Sequence, residues 1–371
     1  MKIDIVGAGI GGLTTAIALE SVGVKYSIFE QSKEIKPVGA GIILANNAMQ
    51  VYAKLGLKEE IEAAGNYISS VNITKPNLTN LSVQKLIPFE QKYGAKNIAI
   101  HRGILQQILV NKLKHTQIHL DHELDKIDQN SNGYSLSFLN NQKHHSTTLI
   151  GADGINSVVR NTFFPNNQIR DAHQTCWRGV TNYQLPQKYQ NGLYEAWGNQ
   201  SRFGMVQIAK NKVYWYALQS TSENNNTSSI FESYHPIIIE LINNTPTNHV
   251  YKSKICDLKP TKKWHLDNLC LIGDAAHATT PNMGQGACQA IEDAYVIAKL
   301  LAKNNPKEAF TAFQKIRLPK AHLIVNGSWN LGKIAHLSNP FLRGIRNQAM
   351  KLTPAFISQN QTDKIFKIPV L

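Results

Sequence analysis

Three glycines and a glutamate near the start of the chain have the types and spacing to hold a dinucleotide. Gly7-Ala8-Gly9-Ile10-Gly11-Gly12 puts glycine at each position of a G-x-G-x-x-G run. Gly7 permits a tight turn, Gly9 lets a pyrophosphate approach the backbone, and Gly12 lets a helix pack closely on a strand. A helix behind such a turn offers free N–H groups and the positive end of its dipole to phosphates. Glu30 stands eighteen residues beyond Gly12, where its carboxylate can accept both ribose hydroxyls. The same charge repels a 2′-phosphate, so the ligand is read as FAD or NAD.

A second region, Leu271 to Gly286, ends an apolar run at Gly273-Asp274 and sets Pro281, Asn282, Gly284, Gln285 and Gly286 at a helix start. That start can aim its partial positive charge at an anionic edge, such as the N1–C2=O side of a reduced flavin. Asp274 reads as a ribose or pyrophosphate-side contact. Between the two regions, Thr175 to Gln219 is aromatic-rich and alternating, the pattern of an antiparallel sheet with one wall of large side chains. Its candidate inward residues are Trp177, Tyr194, Trp197, Met205, Gln207, Tyr214 and Tyr216, with register open, because a one-residue slip exchanges the faces. Arg202, just before one of these strands, is placed to pair with an acidic or phenolate substrate or to be a solvated loop arginine.

The positioning elements follow from periodicity. Lys2 to Val6, Leu13 to Val22 and Tyr26 to Phe29 predict a βαβ unit. Helices are expected over Ala45–Leu55, Lys58–Ala64, Gly103–Leu113, Ile230–Ile242 and Gly284–Ala302, and from Lys307 to Leu331 except at Pro319. Ile118–Leu120, Glu123–Ile127 and Tyr134–Phe138 predict a small meander, and Ser220 to Ser229 a polar loop. The expected organisation is discontinuous: a dinucleotide domain from 1–70, 98–170 and 261–330, a substrate domain from 71–97 and 171–260, and a helical segment over 331–371.

The chain has 371 residues, ample for a large core, and 42% are hydrophobic, which excludes wholesale disorder. Its net charge is +14, from 39 basic and 25 acidic residues, without a run of five or six consecutive Lys/Arg. Nucleic acid is therefore not the expected partner. Cys176, Cys256, Cys270 and Cys288 show no C-x-x-C spacing, and no histidines show ligand spacing, so neither disulfides nor a metal are expected. No stretch of about 20 apolar residues occurs, and a cytoplasmic monomer or homodimer is expected. G-x-S-x-G, phosphate-loop and H-E-x-x-H patterns are absent.

Taken together, the N-terminal fingerprint, the central Gly151-Ala152-Asp153-Gly154 with Ser157 and Arg160, and Gly273-Asp274-Ala275-Ala276-His277 resemble the single-component FAD-dependent monooxygenases of the p-hydroxybenzoate hydroxylase type, in the family's order. The resemblance implies an α/β fold, in which a Rossmann-like FAD-binding domain carries an inserted antiparallel-sheet substrate domain and C-terminal helices. It implies that Gly7, Gly9, Gly12 and Glu30 hold the ADP half of FAD and that Asp274 holds the ribityl–pyrophosphate region. By the same likeness Arg102 contacts the flavin, Gly39-Ala40-Gly41 borders its rings, and Asp153 contacts FAD and nicotinamide. NAD(P)H visits transiently and O2 is consumed, through a flavin C4a-hydroperoxide that hydroxylates a planar, electron-rich small molecule such as an aromatic acid, a heterocycle or a polyketide-like drug. Relatives that hydroxylate urate carry an acid where this chain has Asn282, which argues against urate. The competing readings are a flavin-dependent reductase or dehydrogenase without oxygen insertion, and a non-enzymatic nucleotide-sensing or nucleic-acid-associated module.

Overall fold

The structure is a computed structural model, and it describes residues 1–36, 39–114, 118–220 and 230–371. Lys2–Val6, Ile10–Ser21 and Lys25–Phe29 form the first strand, helix and strand. Ile3, Ile5 and Ile28 are fully buried, because a parallel strand with helices on both sides has no face turned to water. Lys2–Val6 pairs in parallel with Lys25–Phe29 and with Leu149–Gly151. The six-stranded sheet runs His265–Leu266, Leu269–Leu271, Leu149–Gly151, Lys2–Val6, Lys25–Phe29, Ile118–His119. Gly11 lets the first helix approach helix Gly286–Leu301, since a Cβ there would lie 3.2 Å from that of Ala290.

A second sheet has seven strands in the order Val250–Leu258, Ile169–Asn182, Lys212–Ser220, Ser201–Ala209, Gly192–Trp197, Ser70–Thr74, Asn80–Lys85. Neighbours are antiparallel except Gly192–Trp197 against Ser70–Thr74. Its far face carries Phe203, Met205 and Trp215, packed with Ile237, Ile238 and Leu241 of helix Pro236–Asn243. The near face turns Val206, Ile208 and Tyr214 into the main core. A small sheet of Gly41–Leu44, Asn97–His101 and Asn66–Ile68 joins the two. There Gly41 rests on the Tyr214 ring: a Cβ at Gly41 would stand 2.3 Å from its Cγ.

Several expectations change. Ile118–His119 extends the parallel sheet, and the meander is instead Leu124–Asn130, Gly133–Phe138 and Lys143–Ser146. Pro319 lies inside an unbroken helix, Pro306–Ala335. The helix expected from Ile230 is regular over Pro236–Asn243, where proline suits the first turn. Residues 221–229 of the expected polar loop lie outside the described residues. The chain ends in helices Pro340–Leu352 and Ala355–Phe366. Among the described residues, no helix is long and apolar enough to cross a membrane.

Candidate active site

At the first turn Gly7 has a φ of +104°, and a Cβ there would stand 2.5 Å from the Ala152 carbonyl oxygen. A Cβ at Gly12 would stand 2.0 Å from the Gly7 carbonyl oxygen. Packing demands both glycines. Gly9 differs, because its φ of −69° and ψ of 179° suit any residue and a Cβ there meets nothing within 4 Å. The open space lies over the start of helix Ile10–Ser21, which has no side-chain cap and no acid in its first turn. A diphosphate fits that cradle. Glu30 Oε2 accepts from the Ala8 N–H at 2.7 Å and Oε1 from Ser32 at 2.9 Å, which fixes the carboxylate at the rim with lone pairs left for ribose hydroxyls.

Ala152-Asp153 passes directly against Gly7. Asp153 Oδ2 accepts from the Val159 N–H at 3.1 Å, while Oδ1 is buried without a partner. Burial pushes this carboxyl up from its usual range. Ser157 Oγ caps the following helix by accepting from the Arg160 N–H at 2.8 Å, and Arg160 donates to the Ala275 carbonyl at 3.3 Å, which ties this turn to the second motif.

In that motif the Gly273 N–H donates to Asp293 Oδ2 at 2.9 Å, leaving Asp274 open to the cleft. The enclosing protein pushes the Asp274 carboxyl up, against His277 and Arg102, which pull it down. The Arg102 N–H donates to the Ala40 carbonyl at 2.9 Å, and Gly39, at φ +123°, lies over the Arg102 side chain. Beneath, Asp293 meets His277 Nε2 at 2.6 Å and Arg317 Nε at 2.7 Å, and Arg317 Nη1 reaches Glu292 at 2.6 Å. Burial would raise the Asp293 carboxyl, but His277 and Arg317 outweigh it and hold it below the usual range.

The cleft continues into a cavity of about 560 Å³ between the two sheets. Its walls are mainly apolar, with Ile42, Ile68, Val71, Ile73, Leu193 and Leu218 among them, and helix Ala355–Phe366 closes one side through Ile365 and Phe366. Gly41, Asp274, Pro281, Asn282, Gly284, Gln285, Gly286, Arg202, Tyr214 and Tyr216 come together there as the sequence suggested. Met205 and Gln207 do not. Met205 is in the far-face core, and Gln207 Nε2 donates to Asn66 Oδ1 at 3.2 Å. Trp177 also lies on the far face, with Tyr194 against the same core.

Arg202 is likewise corrected. It sits within strand Ser201–Ala209, buried, and is neither before the strand nor in a solvated loop. Its Nη1 donates to Glu195 Oε1 at 3.0 Å, Nε to His336 Nε2 at 3.0 Å, and Nη2 to Asn282 Oδ1. Its charge is thus met inside the protein. Burial, with Arg202 beside it, pushes His336 down to about 3, so the neutral ring can accept that bond. Glu195 Oε1 also accepts from Trp197 Nε1 at 2.6 Å, and the Tyr216 hydroxyl donates to Oε2. Burial, then Glu195, raises the Tyr216 phenol well above its usual value. Glu195, His336 and Arg178, which also lines the cavity, went unread in the sequence. A glutamate inside the aromatic strand Gly192–Trp197 was the available signal; His336 carries none locally.

These motifs have relatives. The chain belongs to the FAD binding domain family, whose profile matches residues 1–326. It is an FAD-dependent monooxygenase, which displaces the non-enzymatic reading. At 33% identity over 361 residues, it is similar to the aurachin C monooxygenase/isomerase of Stigmatella aurantiaca, across 95% of this chain and 94% of that one. It is 27% identical over 366 residues to the 2-heptyl-3-hydroxy-4(1H)-quinolone synthase of Pseudomonas aeruginosa, with 95% and 94% covered. Among solved structures, Klebsiella pneumoniae HpxO complexed with FAD and uric acid matches with a TM-score of 0.89 at 21% identity, covering 99% of this chain and 96% of that one. The last likeness is one of fold.

Proposed function

We propose that the enzyme uses NAD(P)H and O2 to hydroxylate a planar, electron-rich heteroaromatic that bears an acidic N–H or O–H and an apolar substituent, in the manner of an alkyl-4-quinolone. The observation that carries this is the make-up of the cavity: mainly apolar walls, with a polar cluster among them in which Glu195 holds Tyr216 and Arg202. Among the relatives that span 95% of the chain, the quinolone synthase supports the substrate class by its name, while a 3-hydroxybenzoate 6-hydroxylase is the alternative that the test below separates. A carboxylate substrate is disfavoured, because Glu195 already neutralises Arg202.

FAD, when bound, accepts hydride from the nicotinamide and delivers electrophilic oxygen derived from O2. The protein holds its diphosphate at Gly9 and the helix start, its ribose at Glu30, and the ring end near Arg102, Asp274 and Gly284 to Gly286. The Asp153 backbone passes beside Gly7 at this cleft. The walls keep water away from the reacting centre.

Tyr216 and Glu195 ready the substrate. The phenol oxygen accepts the substrate's acidic proton while the phenol proton passes to Glu195 Oε2, along the hydrogen bond already in place. Glu195 becomes neutral, the substrate becomes an electron-rich anion, and Arg202, relieved of its partner, stabilises that anion. Asn282 and His336 hold Arg202 through the change.

The test offers alkyl-4-quinolones and hydroxybenzoates to the holoenzyme, scoring NAD(P)H oxidation, peroxide release and oxygen-18 in the product. Coupled oxidation with quinolones is expected; stimulation by hydroxybenzoates alone overturns the substrate class. A product without the label favours the reductase or dehydrogenase reading. Tyr216→Phe, which leaves the Glu195–Arg202 pair intact, is expected to lower coupled kcat by about 10²–10⁴ with flavin retained. Unchanged coupled turnover refutes the relay.

A further inference from the structure

Helix Pro340–Leu352 is seated the wrong way round for a helix facing water. A surface helix ordinarily turns its apolar stripe inward and its charges out. Here Arg346 is buried, donates to the Ala335 carbonyl at 3.0 Å, and lies over the Trp197 ring at 5.1 Å. Leu342, Ile345, Ala349 and Leu352, spaced i, i+3, i+7 and i+10, form one stripe about a quarter turn round the helix from Arg346 and are all exposed. Phe341 is 74% exposed and Leu352 78%. The apolar surface continues onto the next helix through Phe356 and Ile357, at 61% and 40%.

The charge of this region selects what covers it. From residue 333 to the end there are six Lys/Arg and one acidic residue. That acid, Asp363, is bound to Lys92 at 2.6 Å and to the Tyr93 hydroxyl at 2.7 Å. Lys333, Lys351, Lys364 and Lys367 are exposed, and Phe356, Asn360 and Lys364 recur at helical spacing along the exposed side of the last helix, with Lys367 just past its end. Apolar residues beside lysines, on helices too short and too polar to span, are the composition of a segment lying in a bilayer interface. Anionic headgroups meet the lysines while the stripe enters the acyl boundary.

We propose that helices Pro340–Leu352 and Ala355–Phe366 form an interfacial docking surface for an anionic phospholipid membrane. The inference does not rest on the proposed substrate. It does set the membrane beside the cavity, because the last helix supplies one cavity wall and part of the docking surface.

The test is sedimentation of the full-length holoprotein with vesicles of phosphatidylcholine alone and of phosphatidylcholine mixed with phosphatidylglycerol. Salt-sensitive binding to the mixed vesicles and weak binding to the zwitterionic ones are expected. The triple variant Leu342→Ser/Ile345→Ser/Leu352→Ser is expected to bind at least about tenfold more weakly, since each change removes apolar surface from the interface, with flavin content and circular dichroism unchanged. Lys351→Glu/Lys364→Glu/Lys367→Glu is expected to abolish the preference for phosphatidylglycerol, and reads the proposal independently if the first variant misfolds. Failure of the holoprotein to bind mixed vesicles overturns it, as does undiminished binding by both variants. A concentration-dependent dimer that the triple variant dissolves, without vesicle binding, assigns the patch to a second copy instead.

Discussion

Replacing Gly9 with valine separates the cofactor's need for a glycine from the fold's. The backbone at Gly9 is extended, with φ −69°, and a Cβ there meets nothing within 4 Å. The apo-protein should therefore keep its stability within about 0.5 kcal/mol, the range of an uncrowded surface change. The valine branches fill the space over the helix start where the diphosphate lies. Hydrogen bonds to a charged group contribute roughly 1.5–3 kcal/mol each, and displacing the diphosphate from two such N–H groups removes roughly 3–6 kcal/mol. Even the lower figure exceeds a hundredfold in Kd at about 1.4 kcal/mol per decade. Gly12→Ala is the counterpart, because its Cβ would sit 2.0 Å from the Gly7 carbonyl oxygen. Forced movement there costs about 1–3 kcal/mol or more of stability. Denaturant unfolding of the apo-proteins and FAD titration followed by flavin fluorescence measure both quantities. A folded Gly9→Val protein that is yellow, with FAD affinity within a few-fold of the parent, would refute this placement.

Other outcomes follow from buried groups. His336, held down to about 3 by burial and by Arg202, stays neutral while the unfolded chain takes up a proton below about pH 6.5. Stability present above that value is lost as pH falls toward 3, by at most about 1.4 kcal/mol per pH unit. In His336→Gln the loss between pH 6 and 4 should be shallower, and urea unfolding at several pH values showing an equal slope would refute the account. Asp293→Asn leaves the Arg317 and His277 sites short of their carboxylate and should cost about 3–5 kcal/mol in guanidinium unfolding. In the parent, the depressed Asp293 carboxyl keeps its contribution down to about pH 4 and loses it only below. Met205→Leu, on the far face of the sheet, should leave KM unchanged and alter stability by less than about 1.5 kcal/mol. A several-fold rise in KM would place Met205 in the cavity after all.

The dinucleotide turn was legible because two of its constraints are local: the positive φ of Gly7 and the Gly7 carbonyl that crowds Gly12 both lie within the βαβ unit, whereas the Ala152 carbonyl against Gly7 comes from far along the chain. The aromatic strands were legible as strands, but their faces were not. Ser201–Ala209 is buried on both sides, by helix Pro236–Asn243 and by the flavin-domain core, so no polar alternation marks the side that Met205 occupies. Arg202 looked like a strand flank because charge predicts exposure, and its real neutraliser, Glu195, lies seven residues earlier on the adjoining strand. His336 reaches Arg202 across 134 residues of sequence, a contact set by where the long helix ends and by nothing near either residue. Pro319 was read as a local interruption of a helix from Lys307 to Leu331, yet the helix carries straight through it.

The seat of Gly41 on the Tyr214 ring has a kinetic consequence. With no room for even a methyl group between them, the seven-stranded sheet is keyed to the flavin half, and parting the two halves like a clamshell would break that joint at every turnover. One wall of the cavity is the tail, which among the described residues is held by a few polar clasps: Gln50 to the Phe366 carbonyl at 2.8 Å, Lys320 to that of Lys367 at 2.9 Å, and Asp363 to Lys92 and Tyr93. Traffic of reactant and product should therefore be timed by unlatching of the last helix, while the cofactor's cradle stays shut.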